Sequence, residues 1–252
     1  MVGRHNKLLA ALPEEDLRRL QPSLTPVPFT FRKVFNKQGE PIRHVVFPSS
    51  GVASIVSVMA DGRMVETATI GNEGIVGSSL FVGGDIALAD AFVQVPGERP
   101  GFSMSAIAFH KELDRRGPFY DLVSRYSQAF QALVMQSTAC NVLHSVEERC
   151  ARWLLMTHDR VTGDDIRLTH EFLGMMLGAR RPTVSLVLGT LAKAGLIQNA
   201  NRKIVVVNRK GLEEASCECY QMVREHFERL LSHRRYETIH NKSAAQNHAV
   251  VT

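Results

Sequence analysis

Apolar residues between Leu168 and Ile197 recur at helical spacing in two short blocks. The first block has them at positions i, i+1, i+4 and i+5, which fall on one face of a helix: Phe172, Leu173, Met176 and Leu177. The second block has them at positions i, i+3, i+4 and i+7: Val184, Val187, Leu188 and Leu191. Thr169 is predicted as the N-cap of the first helix, and Gly178 as its C-cap. The second helix is predicted to begin at about Pro182, because proline is favoured in a first helical turn.

The second predicted helix presents polar and basic side chains at its N-terminal end. These are Arg180, Arg181, Thr183 and Ser185. Two helices joined by a tight turn, with hydrogen-bond donors at the start of the second, are typical of a helix-turn-helix. In that motif the second helix enters the major groove of DNA.

A β-hairpin is predicted directly after the second helix. Gly195 ends the helix, a polar turn follows over 199–203, and Ile204–Val207 is a β-branched strand. The segment 168–211 holds seven basic residues and one acid, Glu171, and so carries a net charge of +6, whereas the whole chain carries +5. Such local positive charge attracts a phosphate backbone, so the segment is predicted to bind nucleic acid.

The stretch 168–197 resembles the DNA-binding domain of the Crp/Fnr superfamily of bacterial transcription regulators. It fits the frame LT-x-E-x-LG-x-x-LG-x-x-R-x-TVS-x-x-L-x-x-L-x-x-x-GLI without a gap. The resemblance implies an α+β fold with an N-terminal antiparallel β-roll of the cyclic-nucleotide-binding type, a long dimerisation helix and a C-terminal winged helix-turn-helix. It also implies a cytoplasmic, sequence-specific regulator that binds double-stranded DNA as a homodimer, with RNA polymerase as a further candidate partner.

The resemblance also assigns DNA-contacting residues. They are Arg180, Arg181, Thr183 and Ser185 on the second helix, Thr169 and His170 on the first, and Arg202 and Lys203 on the predicted β-hairpin, which is the wing of this fold. Arg181 stands where the family has its leading arginine, which binds a guanine base or contacts a phosphate. The first helix and the wing are expected to approach phosphates. Pro182 and Leu186 replace the glutamate and arginine that the family often has. The DNA half-site best known for the family therefore cannot be assigned to this protein.

The chain before this segment contains short β-branched runs between turn residues. The runs are His44–Phe47, Gly51–Met59, Met64–Ile70 and Ala91–Val95. Asp61-Gly62 predicts a tight hairpin between two of them. This spacing predicts a small all-β barrel or sandwich, preceded by a short helix or pair of turns over 6–20 that Pro13 breaks.

A long helix is predicted from Pro118 to about His144. Its apolar positions recur at nearly 3.5-residue spacing: Phe119, Leu122, Tyr126, Ala129 or Phe130, Leu133, Ser137 and Cys140. This spacing predicts a helix packed against a copy of itself, and the alternative is a single amphipathic helix on the surface of the β-roll. Ser145 and Glu148 then predict a capping box and a further helix.

The chain is expected to divide into a sensor-like domain (1–117), a dimerisation helix (118–144), a DNA-binding domain (145–235) and a tail (236–252). The last domain ends in a helical segment that is predicted from Leu212 to about Arg235. The polar tail is predicted to be disordered.

The region corresponding to the family's cyclic-nucleotide cassette lacks the residues that hold phosphate. Ser78 stands where the family has a glutamate, and Ala87, Leu88 and Ala89 stand where its arginine would fall. No lysine or arginine occurs over 64–98. A buried phosphate needs a cation or many hydrogen bonds, so cyclic AMP is not expected to bind in the family's usual way. The sequence indicates no other effector.

The four cysteines show no disulfide framework, as expected of reduced thiols in the cytosol. None precedes Cys140, which excludes the N-terminal four-thiolate cluster of oxygen-sensing relatives. If Cys217 and Cys219 lay on one helix, they would point roughly 200° apart. We therefore interpret them as reduced, partly buried thiols, with a redox or metal role as the alternative, and we assign no haem ligand among the histidines.

Two other functions remain as alternatives: a cupin-like metal-dependent enzyme, or a ligand-binding protein whose winged helix mediates protein contacts. No His-x-His occurs, and the β region holds only His44 and His110, with Glu66 between them. Nucleophile-elbow, phosphate-loop and His-Glu-x-x-His motifs are also missing. We assign no catalytic residue, metal or cofactor. No apolar run approaches the roughly 20 residues that span a bilayer.

Overall fold

The computed structural model describes residues 3–200 and 203–231, and it has the predicted α+β fold. Two short helices come first, α1 (Lys7–Ala10) and α2 (Glu14–Leu20), on either side of Pro13 as the sequence predicts. Seven strands follow: β1 (Thr25–Val27), β2 (Val34–Asn36), β3 (His44–Phe47), β4 (Val52–Val58), β5 (Met64–Ile70), β6 (Asp90–Val95) and β7 (Gly101–Ser105). The predicted disordered tail, 236–252, lies outside the described residues.

These strands form two antiparallel sheets, one in the order β1-β7-β3 and the other in the order β2-β6-β4-β5. The predicted hairpin between β4 and β5 is confirmed, with Gly62 at a φ of 82° that favours glycine. One apolar cluster takes residues from both sheets and joins them: Phe29, Val46, Ala53, Ile70, Val76, Ala91 and Val93.

Helices α3 (Ala106–Leu113) and α4 (Pro118–Leu143) follow the sheets, and α4 has nearly the predicted bounds. The predicted stripe is buried: Phe119, Leu122, Tyr126, Ala129, Leu133, Ser137 and Cys140. It packs inside the chain, against β5 and the last helix, and the hydroxyl of Tyr126 donates to the carbonyl oxygen of Ile75 at 3.2 Å. The prediction that this stripe packs against a second copy is therefore wrong. Periodicity reports which helix face is buried but not which chain buries it.

The C-terminal part begins with α5 (Val146–His158), whose Ser145–Glu148 capping box is confirmed. It continues with β8 (Asp165–Arg167), α6 (His170–Leu177), α7 (Arg181–Lys193), β9 (Ile197–Ala200), β10 (Lys203–Val206), α8 (Arg209–Glu214) and α9 (Cys219–Leu231). The single helical segment predicted from Leu212 is wrong, because residues 215–218 interrupt it. The hairpin is confirmed but has an unforeseen third strand, giving the order β8-β10-β9.

The C-terminal helices pack directly on the four-stranded sheet. Phe172 of α6 lies against the rings of Phe31 and Phe92, with centroids 5.6 and 6.3 Å away. Just after α5, Arg160 contacts Glu73 in the turn that follows β5. The helix-turn-helix is thus held against the β-rich part by both apolar and charged contacts. None of the described helices has the length and apolarity needed to cross a membrane.

Candidate nucleic-acid interface

Helix α6 has the two caps that the sequence predicts. The hydroxyl oxygen of Thr169 accepts a hydrogen bond from the backbone N–H of Phe172 at 3.2 Å, which satisfies one free donor at the helix start. At the other end Gly178 adopts a left-handed conformation with φ 60°. Because its hydroxyl serves as the cap, Thr169 is positioned by α6 itself.

The turn between α6 and α7 depends on a close backbone approach. The backbone N–H of Ala179 donates to the carbonyl oxygen of Gly174 at 2.9 Å. A Cβ on Gly174 would lie 2.8 Å from the carbonyl oxygen of Ala179, so a side chain at this position would push the two helices apart. Gly174 therefore helps fix the angle at which α7 leaves the turn.

Helix α7 begins at Arg181, one residue before the predicted start, with Arg180 as its N-cap and Pro182 in its first turn. The buried face of α7 consists of Val184, Val187, Leu188 and Leu191. The predicted contact residues lie on the solvent side, where Arg180, Arg181, Thr183 and Ser185 are all exposed. Neither arginine forms an ion pair within the described ranges. Two free guanidinium groups thus stand at the positive end of the helix dipole, an arrangement that favours an anionic partner.

His170 connects the two helices to the wing. Its Nδ1 lies 2.9 Å from the hydroxyl oxygen of Ser185 on α7, and its Nε2 lies 3.0 Å from the side-chain nitrogen of Asn199 on β9. The structure therefore brings His170 and Ser185, both predicted from the sequence, into direct contact. Asn199 was missed, because its position predicts only a turn.

The segment 168–211 is less positive than the sequence count implies. Lys203 forms an ion pair of 2.5 Å with Asp165 of β8, an acid that lies outside the counted segment. Arg209 pairs with Asp159 at 2.7 Å and with Glu213 at 3.0 Å. The other predicted wing contact, Arg202, lies outside the described residues. Within the described ranges, the free positive charge of the predicted contact residues is thus concentrated at the start of α7.

Comparison with known proteins agrees with this geometry. The model of the Crp-like helix-turn-helix domain matches residues 148–215. No curated protein matches the chain by sequence.

Several solved structures share the fold at low sequence identity. FixK2 from Bradyrhizobium japonicum is 18% identical, with a TM-score of 0.66 over 77% of this chain and 98% of its own. The c-di-GMP responsive global regulator CLP from Xanthomonas campestris is 17% identical, with a TM-score of 0.60 over 77% and 99%. TTHA1359, a transcriptional regulator of the CRP/FNR family from Thermus thermophilus, is 19% identical, with a TM-score of 0.58 over 76% and 98%.

The resemblance inferred from the helix-turn-helix frame is thus confirmed by an independent domain match, and the described fold agrees with it. Residues 148–215 match the Crp-like helix-turn-helix domain, and the chain shares its fold with solved structures that include a transcriptional regulator of the CRP/FNR family.

Proposed function

We propose that this protein is a transcription regulator that binds double-stranded DNA by placing the start of α7 in the major groove. The observation that carries the proposal is the exposure of Arg180 and Arg181, unpaired in the described structure, on a helix whose opposite face is buried. Crp-like helix-turn-helix domains and the regulators named above support the same function. Such a regulator acts in the cytoplasm, and RNA polymerase is a candidate partner.

The contact residues divide into two roles. Arg181 is proposed to read a base edge, because a guanidinium can bond two acceptors of guanine at once. Thr183 and Ser185 follow it along the same exposed face. The cap of α6 and the wing are proposed to position the domain through phosphates, with Lys203 and Arg202 as the wing contacts.

We also propose that the protein acts as a homodimer, through a face of α4 other than the one first predicted. Beside the buried stripe lies an apolar row at alternating three- and four-residue spacing, which begins at the half-buried Ala132 and continues through the exposed Met135, Ala139 and Val142. Met135 and Val142 are 66% and 79% exposed. This spacing matches a two-helix seam, and a two-fold dimer would present one recognition helix to each half-site.

Cyclic AMP is still not expected to bind in the usual way. The structure brings a cation, Arg160, to the edge of the β-roll, but its guanidinium donates to Glu73 and to the hydroxyl of Thr69. Arg160 is buried and its charge is already neutralised. A thermal shift with micromolar cyclic AMP tests this, since a clear rise in melting temperature would contradict the proposal.

The DNA-binding proposal is tested by selecting bound duplexes from a random pool with the full chain. We expect enrichment of a two-fold symmetric sequence. Arg181→Ala should then remove the preference at one base pair of each half-site, a loss of about 1–3 kcal/mol of discrimination. Lys193→Ala is the matched control, because Lys193 stands at the far end of α7.

No enrichment from the pool would contradict the regulator function and favour a winged helix that mediates protein contacts. Enrichment that Arg181→Ala leaves unchanged would contradict only the placement of α7. The two failures are therefore distinguishable.

A further inference from the structure

Four metal-ligand side chains converge where the end of α4 meets the turn before α9. They are Cys140, His144, Cys217 and Cys219. Their ligand atoms all lie within 4.8 Å of one another. The sulfurs of Cys140 and Cys217 are 3.5 Å apart, and the sulfur of Cys219 is 3.6 Å from Nδ1 of His144.

This convergence corrects the expectation that Cys217 and Cys219 point in opposite directions. That expectation placed both on one helix, whereas α9 begins at Cys219 and Cys217 lies in the preceding turn. Cys140 and His144 are four residues apart at the end of α4, a spacing that puts both on one helix face. The pair Cys140 and His144 at the end of α4 thus faces the pair Cys217 and Cys219 around the start of α9.

We propose that these four side chains bind a single zinc ion. Zinc prefers thiolate and imidazole ligands in tetrahedral sites, and three cysteines with one histidine is a common ligand set for it. With zinc–sulfur bonds of about 2.3 Å, tetrahedral geometry separates two sulfur ligands by about 3.8 Å. The sulfur and nitrogen distances given above fit one ion. A cluster of several irons would hold its thiolates farther apart.

The groups around the four ligands fit a metal as well. Nε2 of His144 lies 3.2 Å from a carboxylate oxygen of Glu218, which favours a proton on Nε2 and leaves Nδ1 free to coordinate. Histidine ligands of zinc commonly donate their second N–H to a carboxylate, as His144 would to Glu218. The side-chain amide of Gln136 donates a hydrogen bond to the sulfur of Cys219 at 3.0 Å.

The site has the character of a structural metal centre. All three cysteines are buried, and four protein ligands leave no open coordination position for a substrate. The ion would tie the end of α4 to the last two helices of the DNA-binding part. Its binding energy would then contribute to the stability of that junction.

Metal analysis of the full, untagged chain tests the proposal. After dialysis against a weak chelator we expect one zinc per chain by mass spectrometry of the metal. X-ray absorption should show three sulfurs near about 2.3 Å and one nitrogen near about 2.0 Å. Cys217→Ser and Cys140→Ser should each lose the tightly held zinc. Cys150→Ser is the matched control, because Cys150 is also buried but lies outside the cluster.

Glu218→Gln keeps all four ligands and guards against loss of metal through misfolding. It should weaken zinc binding by about 10- to 100-fold in competition with a chromogenic chelator, with the circular dichroism spectrum unchanged. Purified protein without metal that also fails to take up Co²⁺ would overturn the proposal. So would an iron–sulfur chromophore, a Cys140–Cys217 disulfide in reduced preparations, or full zinc content in Cys217→Ser.

Discussion

The indole N–H of Trp153 on α5 donates a hydrogen bond of 2.8 Å to a carboxylate oxygen of Glu66 on β5. The other oxygen of Glu66 accepts a hydrogen bond from the hydroxyl of Ser54. Burial raises the pKa of Glu66 to about 7, although these hydrogen bonds and the charges of Arg152 and Arg160 oppose the shift. A titratable carboxyl group thus lies in the contact between the helix-turn-helix part and the four-stranded sheet.

Glu66 should make the stability of the protein fall as the pH rises. The folded protein holds the carboxyl group protonated up to about pH 7, whereas the unfolded chain ionises it near its ordinary pKa of 4.5. Unfolding therefore releases a proton between these pH values, and the free energy of unfolding decreases across that window. Glu66→Gln replaces the carboxyl group with an uncharged amide of similar shape. We expect this variant to be more stable than the wild type at pH 8, by up to about 3 kcal/mol, and we expect the difference to fall below about 1 kcal/mol at pH 5.

Melting temperatures from pH 5 to pH 8 measure this difference. Other ionisable groups contribute equally to both proteins, so the comparison isolates Glu66. Glu14→Gln is the control, because Glu14 forms an exposed ion pair with Arg4 near the N-terminal helices. Parallel pH profiles for wild type and Glu66→Gln would contradict the prediction.

The buried ion pair between Arg160 and Glu73 should be costly to break. The guanidinium lies 2.6 Å from the Glu73 carboxylate, and both side chains are more than 90% buried. Arg160→Ala would remove the counter-charge of Glu73 and leave its buried carboxylate with the hydrogen bond from the backbone N–H of Gly71, at a cost of about 3–5 kcal/mol in urea unfolding. Arg63→Ala, which breaks an exposed pair with Asp61, should cost under about 1 kcal/mol. Equal costs for the two variants would contradict this interpretation.

A substitution at Gly71, next to the side chain of Arg160, is a second test of the contact between Arg160 and Glu73. A Cβ at this position would overlap Cδ of Arg160, so Gly71→Ala should displace the guanidinium and destabilise the protein. Gly117→Ala is its control, because a Cβ there would meet nothing within 4 Å. Urea unfolding of both variants measures the difference, and we expect the loss only at Gly71.

The elements that the sequence predicted correctly have local causes. Thr169, Gly178 and the Ser145–Glu148 box act within a few residues of their own positions, so their roles are visible in the sequence. Contacts between distant residues were not predictable. The face of α4 was predicted but its partner was not, because a second copy and α9 would bury the same pattern.

The two largest errors have the same origin. The break at 215–218 carries no proline, so the helical pattern continues through it in the sequence, and this hides the approach of Cys217 to Cys140. Asp165 lies 38 positions before Lys203 in the chain, and only the β8–β10 pairing brings them together. Counting charge along the sequence therefore overstates the positive charge of the wing.

The ion pair between Lys203 and Asp165 gives opposite predictions for its two members. Lys203→Ala should weaken binding to all duplexes about equally and reduce the salt dependence by about one counterion. Asp165→Asn should strengthen binding, because it frees Lys203 and removes a negative charge that would lie near phosphates. Fluorescence anisotropy at several salt concentrations measures both effects. Unchanged affinity in both variants would place the wing away from the DNA.

The exposed row on α4 predicts how the dimer can be dissociated. Met135→Glu and Val142→Glu together put two charges on each copy of the proposed seam, where burial would be costly. We expect the double variant to sediment at the monomer mass of 28.0 kDa under conditions in which the wild type has about twice that mass. It should retain weak binding to single half-sites but lose the cooperative binding of a two-fold site.

Ile107→Glu is the control for the dimer, because Ile107 is a large exposed apolar residue on α3 rather than on α4. The control should sediment like the wild type. A double variant that remains dimeric would show that another surface joins the two copies. If the wild type is itself a monomer at micromolar concentration, the proposed dimer is wrong. The exposed row would then need a different partner, since isolated apolar side chains are common on surfaces but a regular seam of this spacing is not.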